Sequence, residues 1–135
     1  MKIPLSSLTI LFLTAGAHAG TVIYTDHAHP VNSELSPDVT VTELDAPDRL
    51  LAQQFGPLSA APAQAEQQAR AVITSPSFRQ NQQALAASYA GVAHAWSLGL
   101  EKYPAVVFDD KWVVYGTTDV ASARAKLDAW REKQP

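Results

Sequence analysis

The stretch Tyr103-Pro104-Ala105-Val106-Val107-Phe108-Asp109-Asp110-Lys111-Trp112-Val113-Val114-Tyr115-Gly116 decides the fold. Residues 105–108 and 112–115 are short runs of β-branched and aromatic side chains. Asp109-Asp110-Lys111 between them supplies turn-forming residues, which is the pattern of a β-hairpin. Neither run alternates with polar residues, so these strands are expected to be covered on both faces. Helices on both sides of a sheet make an α/β sandwich.

Outward from the hairpin, the flanking segments supply those helices. Downstream, Val120, Ala123, Leu127 and Trp130 recur at spacings of 3, 4 and 3, one face of a terminal helix. Thr117, Thr118 and Asp119 precede it, and the plain reading of these residues is a helix N-cap. Upstream, Ser75-Pro76 pairs a capping residue with a proline suited to the first helical position. Phe78, Leu85, Tyr89, Val92 and Trp96 then mark an apolar stripe, and Gly99 sits where a left-handed C-terminal cap is needed. Trp96, Trp112 and Trp130 are accordingly expected in the core or at its edge.

An Ala/Gln-rich helix is predicted over residues 60–74. A short one is predicted over 49–55, capped from Asp45-Ala46-Pro47-Asp48 and stopped by Gly56-Pro57. Residues 21–25 and 39–44 read as strands, separated by a turn-rich segment from Asp26 to Asp38. The predicted order is β, β, α, α, α, β, β, α, with a mixed sheet of about four strands and flanking helices.

Length and composition set the limits. At 135 residues the chain suits one small domain, and 47% hydrophobic content is ordinary for a globular protein. The formal net charge of -3 gives no nucleic-acid footprint. The absence of cysteine removes disulfides, thiolate nucleophiles and thiolate metal sites. Residues 1–19 read as a cleavable secretory signal peptide. Lys2 forms its positive start, residues 3–15 its apolar centre, and Ala17-His18-Ala19 its cleavage site. The apolar run is too short for a permanent membrane span and no stop-transfer segment follows. The expected product is residues 20–135, exported and periplasmic, without a membrane span.

Candidate chemistry is sparse. Asp26, His27 and His29 form the most ligand-like cluster, because two imidazoles and a carboxylate suit Zn or Cu with one position open. The plainer reading is a loop at a strand end in which Asp26 caps and the histidines are solvated. His94 would join only if the fold brought it there. Asp109 and Asp110 are acidic enough for a cation, yet a turn needs such residues anyway. No Gly-x-Ser-x-Gly elbow is present, and no catalytic constellation or cofactor site emerges.

Two resemblances extend this reading. Residues 94–116 resemble the second half of a thioredoxin fold, with a Gly-capped helix end, a proline, two strands and a glycine before the last helix. The resemblance implies a cis bond before Pro104. Where thioredoxins carry CxxC, this chain has Thr25-Asp26-His27-Ala28-His29-Pro30-Val31, so dithiol exchange is ruled out and a binding role is implied. More broadly, residues 21–130 are similar to small exported proteins encoded in integrating conjugative elements beside genes for a type IV secretion, or mating, apparatus. The shared motifs are Thr25 to Val31, Leu44-Asp45, Tyr89 to Trp96, Pro104 to Val107 and Val114 to Val120. This resemblance implies a non-redox assembly or protein-binding component whose partners are envelope proteins of that apparatus. Its contact face would be His27, His29, Pro30, Tyr103 and Pro104, by analogy with the peptide-binding side of thioredoxin-like folds. A small metal-binding module and a thiol-independent chaperone or isomerase are the alternatives.

Overall fold

A computed structural model describes residues 20–135; the expected signal peptide, residues 1–19, lies outside them. The elements follow the predicted order: β1 (Thr21–Thr25), β2 (Val39–Glu43), α1 (Ala46–Phe55), α2 (Pro62–Ile73), α3 (Pro76–Ser97), β3 (Ala105–Phe108), β4 (Trp112–Tyr115) and α4 (Val120–Arg131). They build an α/β sandwich around one mixed sheet of order β2-β1-β3-β4. β1 runs parallel to β2 and antiparallel to β3, and β3 and β4 form the hairpin. Residues 26–38 carry no helix, so the connection from β1 to β2 is loop throughout.

The central strands show why their runs are continuously apolar. Every residue of β3 is buried, and so are four of the five in β1. Successive side chains alternate between two cores. On one face Ile23, Val106 and Phe108 pack with Ala123 and Leu127 of α4; on the other Tyr24 and Val107 pack with Ala95 of α3. The edge strands β2 and β4 are only partly covered.

Helix ends follow their local chemistry. The Ser75 hydroxyl accepts from the Phe78 N–H at 3.2 Å and caps α3. Gly99 at φ 69° closes the other end: its N–H donates to the Trp96 carbonyl at 2.9 Å, and Leu100 N–H donates to the Ala95 carbonyl at 3.2 Å. The hairpin turn places both Asp109 and Asp110 in the left-handed region, with φ of 54° and 51°, a conformation aspartate tolerates better than most residues. These two residues therefore form the turn, as the plainer reading has it.

Two expectations need correction. Asp45 occupies the N-cap position of α1, yet its side chain makes no cap hydrogen bond. Its carboxylate is drawn instead to the His27 N–H, 3.2 Å from both oxygens. Trp96 lies outside the core, with 82% of its surface exposed, and Tyr89 is half-exposed. The inward line of α3 runs through the half-buried Leu85, Ser88 and Val92 to the buried Ala95, and on to Leu98 at its C-cap. Trp96, one residue on from Ala95, is turned about 100° away from it.

Candidate functional site

The end of β1 organises the candidate site. Continuing the β1–β3 register by one step sets Thr25 opposite Pro104. The peptide bond between Tyr103 and Pro104 is cis, as the resemblance to the thioredoxin fold implies. The Pro104 carbonyl accepts from the Gly116 N–H at 2.8 Å, which ties the loop before β3 to the exit of β4. Hydrogen bonds hold the loop that leaves β1, and the His29 N–H also donates to the Asp26 carbonyl at 3.2 Å. Thr25 Oγ1 donates to the His29 carbonyl at 2.6 Å, Asp26 Oδ1 accepts from the His29 N–H at 3.0 Å, and Asp45 holds the His27 N–H.

Asp26 and His29 also meet through their side chains, Oδ1 to Nδ1 at 2.6 Å. That side-chain hydrogen bond, then the imidazole charge and the backbone N–H groups of His29 and Ala28, hold the Asp26 carboxyl below its ordinary value of 3.8, against a smaller opposing effect of burial. The three-ligand metal centre weighed as an alternative for Asp26, His27 and His29 is not assembled among the described residues. Among the described residues no group of three or more His, Asp or Glu side chains converges on an ion position. Asp26 and His29 satisfy each other, and the Asp45 carboxylate fixes the His27 backbone. His94 does not reach this loop; its Nε2 lies 3.1 Å from Asp110 Oδ1 at the hairpin turn. Asp119 caps α4, accepting from the Ser122 N–H at 2.6 Å, while the Thr117 hydroxyl accepts from the Asp119 N–H at 3.0 Å. The capping reading of residues 117–119 therefore holds.

The proposed contact face divides into two neighbouring parts. Tyr103, half-exposed, lines a shallow groove of about 220 Å³ with Leu44, Val92, Trp96 and Leu100. His27, His29 and Pro30 are exposed but do not line it. Leu44 and Asp45 link the parts: Leu44 is in the groove wall, its N–H donates to the Thr25 carbonyl at 2.8 Å, and Asp45 clamps His27. Sequence reasoning missed Trp96 as a member of this face, because its place in the apolar stripe pointed to the core. The signal available was Ala95, a small residue beside it that suits close packing on the sheet better than an indole. Asp45 was missed as well, since its partner lies 18 positions earlier in the chain.

Chemically, this face offers exposed aromatic rings, two imidazoles and backbone held in place by hydrogen bonds. It holds no nucleophile activated by a base. Residues 18–133 match the family described as "Protein of unknown function (DUF1525)". The chain belongs to this family. No curated protein and no solved structure matches it. Membership of DUF1525 covers nearly the whole described chain and brings no activity with it. Among the described residues no helix is long and apolar enough to cross a membrane.

Proposed function

We propose that the protein is an exported, non-redox, thioredoxin-like binding component of the mating apparatus of an integrating conjugative element. It would act in assembly by holding an envelope partner. The observation that carries the reading is the exposed Trp96–Tyr103 groove, in a chain without cysteine. Exposed aromatics lining a groove are typical anchors of protein–protein contacts. The motifs shared with exported proteins of conjugative elements supply the setting, and the signal-peptide pattern of residues 1–19 supplies the periplasmic location.

The contact face proposed is Trp96 and Tyr103 at its centre, with Pro104, His27, His29 and Pro30 at its margin. The test is mating efficiency in a donor that carries the deletion, complemented by the native chain or by Trp96→Ala with Tyr103→Ala. The deletion should lower DNA transfer and the double variant should fail to restore it, although it accumulates to the native level. Normal transfer in the deletion strain would overturn the reading. Full complementation by the double variant would remove the groove from it.

A further inference from the structure

We propose that the free edge of β4 is a strand-addition site for an extended, acidic segment of a partner protein. On its α4 side this site shares no lining residue with the Trp96–Tyr103 groove; on the other side Lys102 borders both. The Gly116 N–H donates to the Pro104 carbonyl, and residues 112 and 114 share its register, opposite Phe108 and Val106. In an antiparallel ladder alternate residues bond to the neighbouring strand. Trp112, Val114 and Gly116 therefore turn their backbone groups to β3, and Val113 and Tyr115 turn theirs outward. β4 is the last strand of the sheet, so among the described residues no strand pairs with the outward side of Val113 and Tyr115. Two N–H donors and two carbonyl acceptors thus stand in the spacing that another extended backbone completes.

Side chains beside this edge specify what kind of strand fits. A groove of about 400 Å³ runs along β4 on the α4 side, walled by Trp112, Val114, Leu127 and Trp130. Trp112 and Trp130 lie 5.5 Å apart, and Trp130 is 47% exposed. The incoming strand would set apolar side chains here. Lys126 is the charged residue in the groove wall, and no carboxylate lines it. Lys111 Nζ and the Arg131 guanidinium each lie 5.0 Å from the centre of the Trp112 ring, and on the other face Lys102 Nζ lies 5.7 Å from that of Tyr115. Of these cations Arg131 has a carboxylate neighbour, Asp128 at 3.8 Å. In a chain of net negative charge, this concentration of cations around one strand edge favours a partner segment with carboxylates between its apolar residues. A second copy fits poorly, because pairing β4 with β4 would bring each basic rim toward its twin.

The probe is a short, end-blocked peptide alternating valine and glutamate, added to the protein at neutral pH. Binding is followed by amide hydrogen exchange and by titration. In the free protein the amides of Val113 and Tyr115 should exchange quickly while those of Val114 and Gly116 are protected. The peptide should bind saturably and protect Val113 and Tyr115. Replacing its glutamates by lysine, or N-methylating alternate residues, should abolish binding. Lys111→Glu with Lys126→Glu should weaken binding at least roughly tenfold, and both positions are exposed, so the fold should survive. Val113→Pro removes an outward donor and should also block binding, since proline is tolerated on an edge strand where its nitrogen faces solvent. Absence of saturable binding overturns the proposal, as does equal binding of the lysine peptide or binding that survives the two charge reversals. Protection of Val113 and Tyr115 by self-association without peptide also overturns it, in favour of a second copy. None of these readouts involves the Trp96–Tyr103 groove, so either surface can fail alone.

Discussion

Asp26 and Asp119 do the same work at two ends of the chain: a short carboxylate turns inward to satisfy nearby donors. Asp26 holds the Nδ1 and N–H of His29, and Asp119 holds the Ser122 N–H. Each carboxyl is held below its ordinary value of 3.8, Asp26 first by the His29 side chain and Asp119 first by the Ser122 side chain and then by its N–H. The sign of the linkage follows. A depressed folded value means the unfolded chain binds the proton more readily, so the stabilisation is complete above about pH 5. It is lost as the pH falls below 3.8 through the folded values. Urea midpoints should therefore fall between pH 6 and pH 3, and Asp26→Asn with Asp119→Asn should flatten that slope. An unchanged slope in the double variant would show that other carboxyls set the acid limb. Ser75 is a third residue of this kind. Ser75→Ala removes the hydroxyl that accepts from the Phe78 N–H and should cost about 1 kcal/mol. For a domain of this size that is about 4 °C in the thermal midpoint, readable by circular dichroism.

Among the elements, α3 shows most clearly what a sequence can and cannot convey. Both of its ends were legible, because capping is local: Ser75-Pro76 and Gly99 act within a turn of their own positions. Its buried face was not fully legible. Apolarity marked Trp96, whereas the sheet selects for close approach and takes Ala95 and Gly91. A Cβ built on Gly91 would lie 2.7 Å from Thr42 Cγ2 of β2, so this glycine lets α3 lie against the edge strand. The magnitudes decide the outcome of substitution. Gly91→Ala gains up to about 1 kcal/mol in helix propensity. It incurs an overpacking cost of about 1–3 kcal/mol, because the branched Thr42 side chain is stiff at χ1. The variant should be destabilised on balance. Thr42→Ser removes the clashing methyl, and in that background Gly91→Ala should become neutral or stabilising. Chemical denaturation of the four proteins of this cycle measures the coupling. Additive effects would mean that Thr42 simply rotates away.

The whole molecule is one sheet serving two cores, and that arrangement was already present in the unbroken apolar runs of β3 and β4. The site was less legible, for a reason of distance. His27 and Asp45, or Leu44 and Tyr103, are brought together only by the pairing of β1 with β2 and β3. Periodicity carries no information about such partners, and the cis bond before Pro104 was implied by a resemblance alone. A shared sheet also makes a prediction about cooperativity. Val107 is fully buried on the α3 side, and the Trp112–Trp130 pair reports on the α4 side. Val107→Ala should cost on the order of 2 kcal/mol, from lost burial plus the cavity left behind. If β3 transmits that loss to both layers, the indole fluorescence transition and the far-ultraviolet transition should shift together, by the same denaturant increment. Trp96→Phe provides the clean background, since that indole is exposed and its removal should leave stability within about 0.5 kcal/mol. The two probes would separate only if the α4 layer kept its packing after the α3 layer had come apart. The buried residues of β3 alternate between the two faces, Val106 and Phe108 on one and Val107 on the other, so the layers share one strand and no seam separates them.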